Sequence, residues 1–446
     1  MPNTLFRTVK QTPLPGRTTA LLFARGADLS RHAFWAVSLI LLGTCSCADR
    51  EGYPDDLAYP VRADLLVEES PKLTPNNLPP PGGLEKSISR LPELGGKVLD
   101  PARFPEANRT ELAKLLEEQF GTPAQPRVGA SNAELGDLVT KLKLDPTTLI
   151  QGSVSYRRNC LHCHGLAGDG KGSSGLWVSP APRDFRQGRF KFISTSPAKN
   201  LNRPRREDII RTLRMGLHGT SMPAFGIYPD QELEALASYV IHLSIRGEME
   251  FTVLKTLLKA NSQIANLFEN YLPDEEVSKA QENLAYFVPK YLKEIVTQFN
   301  TAETQILTPP EYPYKESELE DSIKRGHRLF SSQASDALGC VSCHIDYGRQ
   351  SPWQYDEWGS LNRPANLTLG IYKGGRRPVD LFWRLKRGIP PSKMPAVTLT
   401  GDEEAKKVWD LINFIEAMPY PAKLPEEVRN SVYGPTGRIA SAANPH

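Results

Sequence analysis

"NCLHCHGLAGDG" occupies residues 159–170. Two cysteines, Cys160 and Cys163, stand three apart, and His164 follows the second directly. The pattern returns as "GCVSCH" over residues 339–344, with Cys340, Cys343 and His344. The chain has 6 cysteines, and the other two, Cys45 and Cys47, lie near the N-terminus. Three chemistries use such pairs. A redox disulfide would sit in a βαβ pattern, and neither pair has one around it. A zinc site takes four ligands. Joining two pairs so distant in sequence would supply four thiolates but would leave both histidines without a role. Covalent haem attachment uses every group: each thiol adds to a porphyrin vinyl group, and the adjacent imidazole binds the iron. That reading predicts two covalently bound haem c groups. His162, between the first two thiols, is read as a surface residue.

The rest of the composition is that of a globular protein. Hydrophobic residues make up 39% of the 446 and charged residues 24%, which is ordinary for a soluble chain with room for two or three domains. The formal charge is +3. Arg7, Lys10, Arg17, Arg25, Arg31 and the one acid Asp28 precede Cys45. Without them the balance is near −1, at 49 basic against 50 acidic side chains. A nucleic-acid binder would carry a global basic excess, so no nucleic-acid partner is expected.

The N-terminus reads as an export signal. A basic stretch leads into "HAFWAVSLILLGTCSC", whose apolar run, Ala33 to Thr44, has the length of a signal core and is too short to span a bilayer. Leu42-Gly43-Thr44-Cys45 resembles a bacterial lipoprotein signal, in which the cysteine is lipidated and becomes the new N-terminus. Cys47 is the rival anchor, and an ordinary secretory signal is the plainer alternative. The expectation is an exported protein on the periplasmic side of a bacterial membrane, held through a lipid on Cys45.

An internal repeat supports two similar units. "RREDIIRTLRMGLHGTSMPAF" from Arg205 aligns with "RRPVDLFWRLKRGIPPSKMPA" from Arg376. Gly216 and Gly388, and Met222 and Met394, are each 172 apart, whereas Arg205 and Arg376 are 171 apart, so the arginine pairs slip by one. Before each cysteine motif a glycine and an aromatic stand four apart, Gly152 with Tyr156 and Gly326 with Phe330, on one face of a helix. After each Met-Pro a terminal helix follows. The first starts at Asp230, with Leu233, Leu236, Ala237, Val240 and Ile241 on one stripe. The second opens on Thr400-Gly401-Asp402-Glu403, a capping-box pattern, and continues with Ala405, Val408, Leu411, Ile412 and Ile415. Between the units, two amphipathic helices are read over 249–300, broken near "YLPDEE". Leu284, Phe287, Val288, Tyr291, Leu292, Ile295 and Phe299 form one stripe, and Pro289 is expected to kink it.

A sixth iron ligand follows from the repeat. Of the 6 methionines, only Met222 and Met394 share a place in it, on loops before the last helix of each unit. A thioether opposite histidine favours Fe(II). Met418 also precedes a proline but has no counterpart in the first unit.

On these motifs the chain resembles a dihaem cytochrome c with two class I cytochrome modules. It is similar to two-haem respiratory electron-transfer proteins and to the dihaem subunits of haem–copper oxidases. The resemblance covers roughly 150–245 and 322–420, and the lipoprotein-like signal stands where the oxidase subunit has transmembrane helices. With the readings above, the expectation is an all-α fold: an export signal (1–44), a proline-rich spacer with a helix at 108–120 (45–147), a first module (148–246), a helical connector (247–320), a second module (321–420) and a tail (421–446). The resemblance also implies that a proline carbonyl orients each ligand histidine, for which Pro182 and Pro364 are the candidates.

Basic residues crowd both units. Residues 181–217 hold ten Lys or Arg against three acids, and 363–393 hold eight against one. Haem propionates, an acidic redox partner or solvent could each take up this charge. The function expected is electron transfer with redox proteins such as a membrane oxidase or a quinol-oxidising complex. The alternative is a dihaem enzyme, either a cytochrome c peroxidase or a thiosulfate-oxidising protein. A peroxidase needs an open iron and distal acid–base groups, for which His218, four residues before Met222, is the residue to watch. A thiosulfate oxidiser would want a further cysteine, and there is none past Cys47 outside the two motifs.

Overall fold

A computed structural model describes residues 52–71, 88–104, 106–129, 135–197, 202–262, 274–332, 338–398 and 403–434, without the side chains of 256–262 and 274–287. The signal, Cys45, Cys47 and the Thr400–Asp402 part of the second capping pattern lie outside the described residues. The elements in order are β1 (Leu66–Glu69), β2 (Lys97–Leu99), α1 (Glu106–Phe120), α2 (Gly136–Lys141), α3 (Pro146–Asn159), α4 (Arg206–Met215), α5 (Asp230–Ser262), α6 (Asp274–Thr304), α7 (Leu319–Ser331), β3 (Gln354–Tyr355), β4 (Leu361–Asn362), α8 (Pro378–Arg387), α9 (Glu404–Ala417) and α10 (Glu426–Tyr433). The chain is mostly helical. β1 pairs antiparallel with β2, and β3 with β4. Among the described residues no helix is long and apolar enough to cross a membrane.

Two glycines set the helix pairing. A Cβ on Gly152 of α3 would lie 2.1 Å from the Ala235 carbonyl oxygen and 2.8 Å from Cβ of Tyr239, both on α5. On Gly326 of α7 it would lie 2.0 Å from the Asp410 carbonyl oxygen and 2.8 Å from Cβ of Phe414, both on α9. The two crossings are the same contact made twice, and each puts two helix backbones side by side. Gly326→Ala should therefore force the pair apart. A cost of about 1–3 kcal/mol or more is expected for such overpacking, read as a lowered denaturant midpoint. An unchanged midpoint would mean that α7 and α9 do not cross here.

Each crossing anchors a core. The first draws Leu149 and Tyr156 from α3, Ile209, Ile210 and Leu213 from α4, and Leu233, Leu236, Val240 and Leu243 from α5. The second joins Ile323 and Phe330 of α7, Leu381, Phe382 and Leu385 of α8, and Val408, Leu411, Ile412 and Phe414 of α9.

Helices and cores run across the expected segment boundaries. α5 does not stop near 246 but runs to Ser262. Tyr239, Leu243, Ile245, Met249 and Val253 on it are buried as well as the expected stripe. The reason is that α5 is covered by α3 and α4, and also by α1 and by Val288, Leu292, Ile295 and Phe299 of α6. α6 continues through Pro289. The region read as a spacer supplies core: Leu66, Phe104, Leu112, Leu116 and Phe120 belong to the first cluster. The Tyr59 hydroxyl meets that of Tyr239 at 2.8 Å, and the Arg62 N–H donates to the Glu250 carboxylate at 2.6 Å. In the segment read as a tail, α10 packs Val428, Val432 and Tyr433 into the second core, and the Tyr433 hydroxyl donates to the Met418 carbonyl at 2.6 Å.

Candidate functional site

Each cysteine motif is one tight turn. The Cys163 and His164 N–H groups donate to the Cys160 carbonyl at 3.1 and 2.8 Å, and those of Cys343 and His344 to the Cys340 carbonyl at 3.2 and 2.8 Å. Within each motif the thiols and the imidazole thus spring from the same turn. All four thiols are free. Among the described residues no three or more Cys, His, Asp or Glu gather around one point, so the two pairs do not combine into a four-thiol zinc set. Burial pushes the Cys160 thiol up to about 12 and the Cys340 thiol up to about 11.

The imidazoles are oriented alike. His164 Nδ1 lies 3.2 Å from the Arg183 carbonyl oxygen, and His344 Nδ1 lies 3.1 Å from that of Ala365. An Nδ1–H that donates to a carbonyl fixes the tautomer and leaves the Nε2 lone pair for a metal. The acceptors are not the carbonyls of Pro182 and Pro364 but those one residue later. The Pro182 carbonyl is packed instead against Gly170, where an added Cβ would lie 2.6 Å from its oxygen. Ala365 presents its carbonyl between His344 and Gly348, where an added Cβ would lie 2.0 Å away. Burial pushes His164 down to about 4 and lowers His344 as well, which keeps both in the neutral form that ligation requires. Phe185 stacks on His164 with centroids 4.6 Å apart.

The methionine loops match bond for bond. α4 and α8 begin after Arg205 and Arg377, whose N–H groups donate to the carboxylates of Asp208 and Asp380 at 3.0 and 3.1 Å. The equivalent of Arg205 is therefore Arg377, not Arg376, and the spacing of 172 holds from the helix start. Each helix ends on a glycine of positive φ, 65° at Gly216 and 71° at Gly388. The Leu217 and Ile389 N–H groups then donate to the carbonyls of Met222 and Met394 at 3.2 and 3.1 Å. The Met222 and Met394 N–H groups are held by hydroxyls two residues earlier, Thr220 at 3.1 Å and Ser392 at 3.4 Å. The Phe225 and Val397 N–H groups return to the carbonyls of Leu213 and Leu385 at 2.8 and 2.7 Å. Met222 and Met394 are half-buried. Met249 and Met418 are instead fully enclosed in the cores.

Sequence reasoning passed over the two hydroxyls and the two capping aspartates, although all four stand at the same spacing of 172. His218 is exposed, inside the Leu217–Met222 turn. The donor set fits haem c: two free thiols and one imidazole with Nε2 available on each turn, and a thioether on a separate ordered loop.

Residues 148–240 match the family described as cytochrome c oxidase, cbb3-type, subunit III. No curated protein matches. Among solved structures, a chain of the reducing HAO-like protein complex of Kuenenia stuttgartiensis is 22% identical, with 60% of this chain and 95% of that one covered, at a TM-score of 0.40. Together with the turn at Cys160–His164 and the Met222 loop, the family match makes residues 148–240 a cytochrome c domain, which implies covalently bound haem c and haem-based electron transfer.

Proposed function

We propose that the chain is a dihaem c-type cytochrome. It carries electrons between respiratory complexes, such as a quinol-oxidising complex and a membrane oxidase, on the periplasmic side of the membrane, held there by a lipid on Cys45. The observation that carries this reading is the repetition of the whole donor set. The thiol turn, the carbonyl on Nδ1 and the methionine loop of residues 148–240 recur in residues 338–398 with matched hydrogen bonds.

Haem c supplies a one-electron Fe(II)/Fe(III) couple. The protein's own contribution is to hold His164 and His344 in one tautomer, and to offer Met222 and Met394 from loops that two backbone hydrogen bonds and a hydroxyl keep in place. A ligand set that does not rearrange is what an electron carrier needs. The exposed members of the basic runs, Arg363, Lys373 and Lys393 among them, favour acidic surfaces on partners.

The test is covalent haem content. The mature protein should carry two haems that survive denaturation and acid extraction, one on a peptide with Cys160 and Cys163 and one on a peptide with Cys340 and Cys343. Mass spectrometry that finds one haem, in a host with working cytochrome maturation, would reduce the reading to the first domain alone.

A further inference from the structure

Within the second half of the chain lies a short hairpin that neither donor set uses. β3 and β4 pair in the register Gln354 with Asn362 and Tyr355 with Leu361. Residues 356–360 form its tip. Asp356 is fully buried and Trp358 is 8% exposed. The Asp356 carboxylate accepts the Trp358 and Ser360 N–H groups at 3.0 and 2.9 Å through one oxygen. The other oxygen makes no hydrogen bond but lies 3.6 Å from Nζ of Lys191, in the first half. The Asp356 carbonyl accepts from the Ser70 hydroxyl at 2.6 Å and from the Gly359 N–H at 3.0 Å. Tyr355 is locked into a small core with Val67 and Leu91. The tip is thus a fixed object with a buried negative charge.

What it faces is Arg183. The Arg183 guanidinium lies 4.6 Å above the Trp358 ring, and the Asp356 charge acts on it. The carbonyl of this same residue accepts the Nδ1–H of His164. Its side chain is held by the second half of the chain while its backbone orients the imidazole of the first.

We propose that Asp356 and Trp358 are positioning residues for the first iron site. Trp358 clamps Arg183 so that its carbonyl stays on His164, and Asp356 sets a buried carboxylate against the Arg183 and Lys191 cations. Both effects act in one direction. A firm acceptor on Nδ1 makes the imidazole a stronger donor, which favours Fe(III). A buried carboxylate in a low-dielectric setting also favours the more positive iron. The second half of the chain therefore lowers the potential of the haem in the first.

The inference rests on haem attachment at Cys160 and Cys163, and the experiment separates the two. In the full-length protein, spectroelectrochemical titration of wild type and Met222→Ala identifies the wave of the first haem as the one that moves. Asp356→Asn, which keeps the size of the side chain, should raise that wave by about threefold in the Fe(II)/Fe(III) ratio, or ~28 mV at ~59 mV per tenfold. Trp358→Ala should raise it too, and Trp358→Phe, which keeps a ring beneath the guanidinium, should restore it. The other wave should stay in place in all three. Two attached haems with the first wave unmoved in Asp356→Asn would overturn the proposal, as would equal movement of both waves. Absence of haem from the Cys160 peptide would instead overturn the functional reading on which it rests.

Discussion

Met222→Ala and Met394→Ala should each open one iron and leave the other untouched. The two methionines belong to separate loops, each closed by its own hydrogen bonds, so loss of one thioether leaves the other loop intact. Without sulfur the preference for Fe(II) is lost and the affected haem's potential falls. Even a tenfold loss is worth ~59 mV for one electron, well within reach of a redox titration. Each variant should lose about half of the weak long-wavelength Met–Fe(III) absorption and bind carbon monoxide at one haem. The double variant should lose all of that absorption. Wild type, with both positions filled, should show negligible peroxide turnover beside its electron exchange. Met418→Ala should destabilise the second core, where Met418 is fully buried, without altering either spectrum. If Met418→Ala removed the sulfur signature instead, the assignment of Met394 would be wrong. Sustained peroxide reduction that disappears in His218→Ala would favour the enzyme reading.

Cys45→Ser should move the protein out of the membrane fraction. Acyl chains buried in a bilayer withstand salt washing, whereas a basic surface on anionic lipid does not. Wild type should therefore stay with membranes through high salt and leave them only in detergent. The serine variant should be released or remain unprocessed. If it fractionates as wild type does, the role passes from Cys45 to Cys47 or to no lipid at all.

The features legible in the sequence are local. A cysteine pair with an adjacent histidine, a glycine four residues before an aromatic, and Met-Pro six residues past a glycine are fixed spacings within one or two turns, and each becomes one turn or one loop. What was not legible depends on where a backbone points or on what arrives from far away. The resemblance points to Pro182 and Pro364, but only the chain path decides that Arg183 and Ala365 turn their carbonyls to the imidazoles. The doubled arginines obscured the register, although Arg205-x-x-Asp208 and Arg377-x-x-Asp380 carry the capping signal that sets it. β3 and β4, at two residues each, are too short to show a period. The stripe on α5 told one face correctly and missed the others, because a helix packed on several sides buries residues that its partners, not its own spacing, select.

The bond from the Ser70 hydroxyl to the Asp356 carbonyl spans 286 residues of chain. Contacts of such separation form late, after the entropy of closing so large a loop has been met. The N-terminal strand and the hairpin can dock only once the chain through Asp356 is available, so the half that holds Cys160 and Cys163 can gather its helices before its cover is in place. The small core of Val67, Leu91 and Tyr355 rests on that long-range contact, and amide exchange there should be faster than along α5.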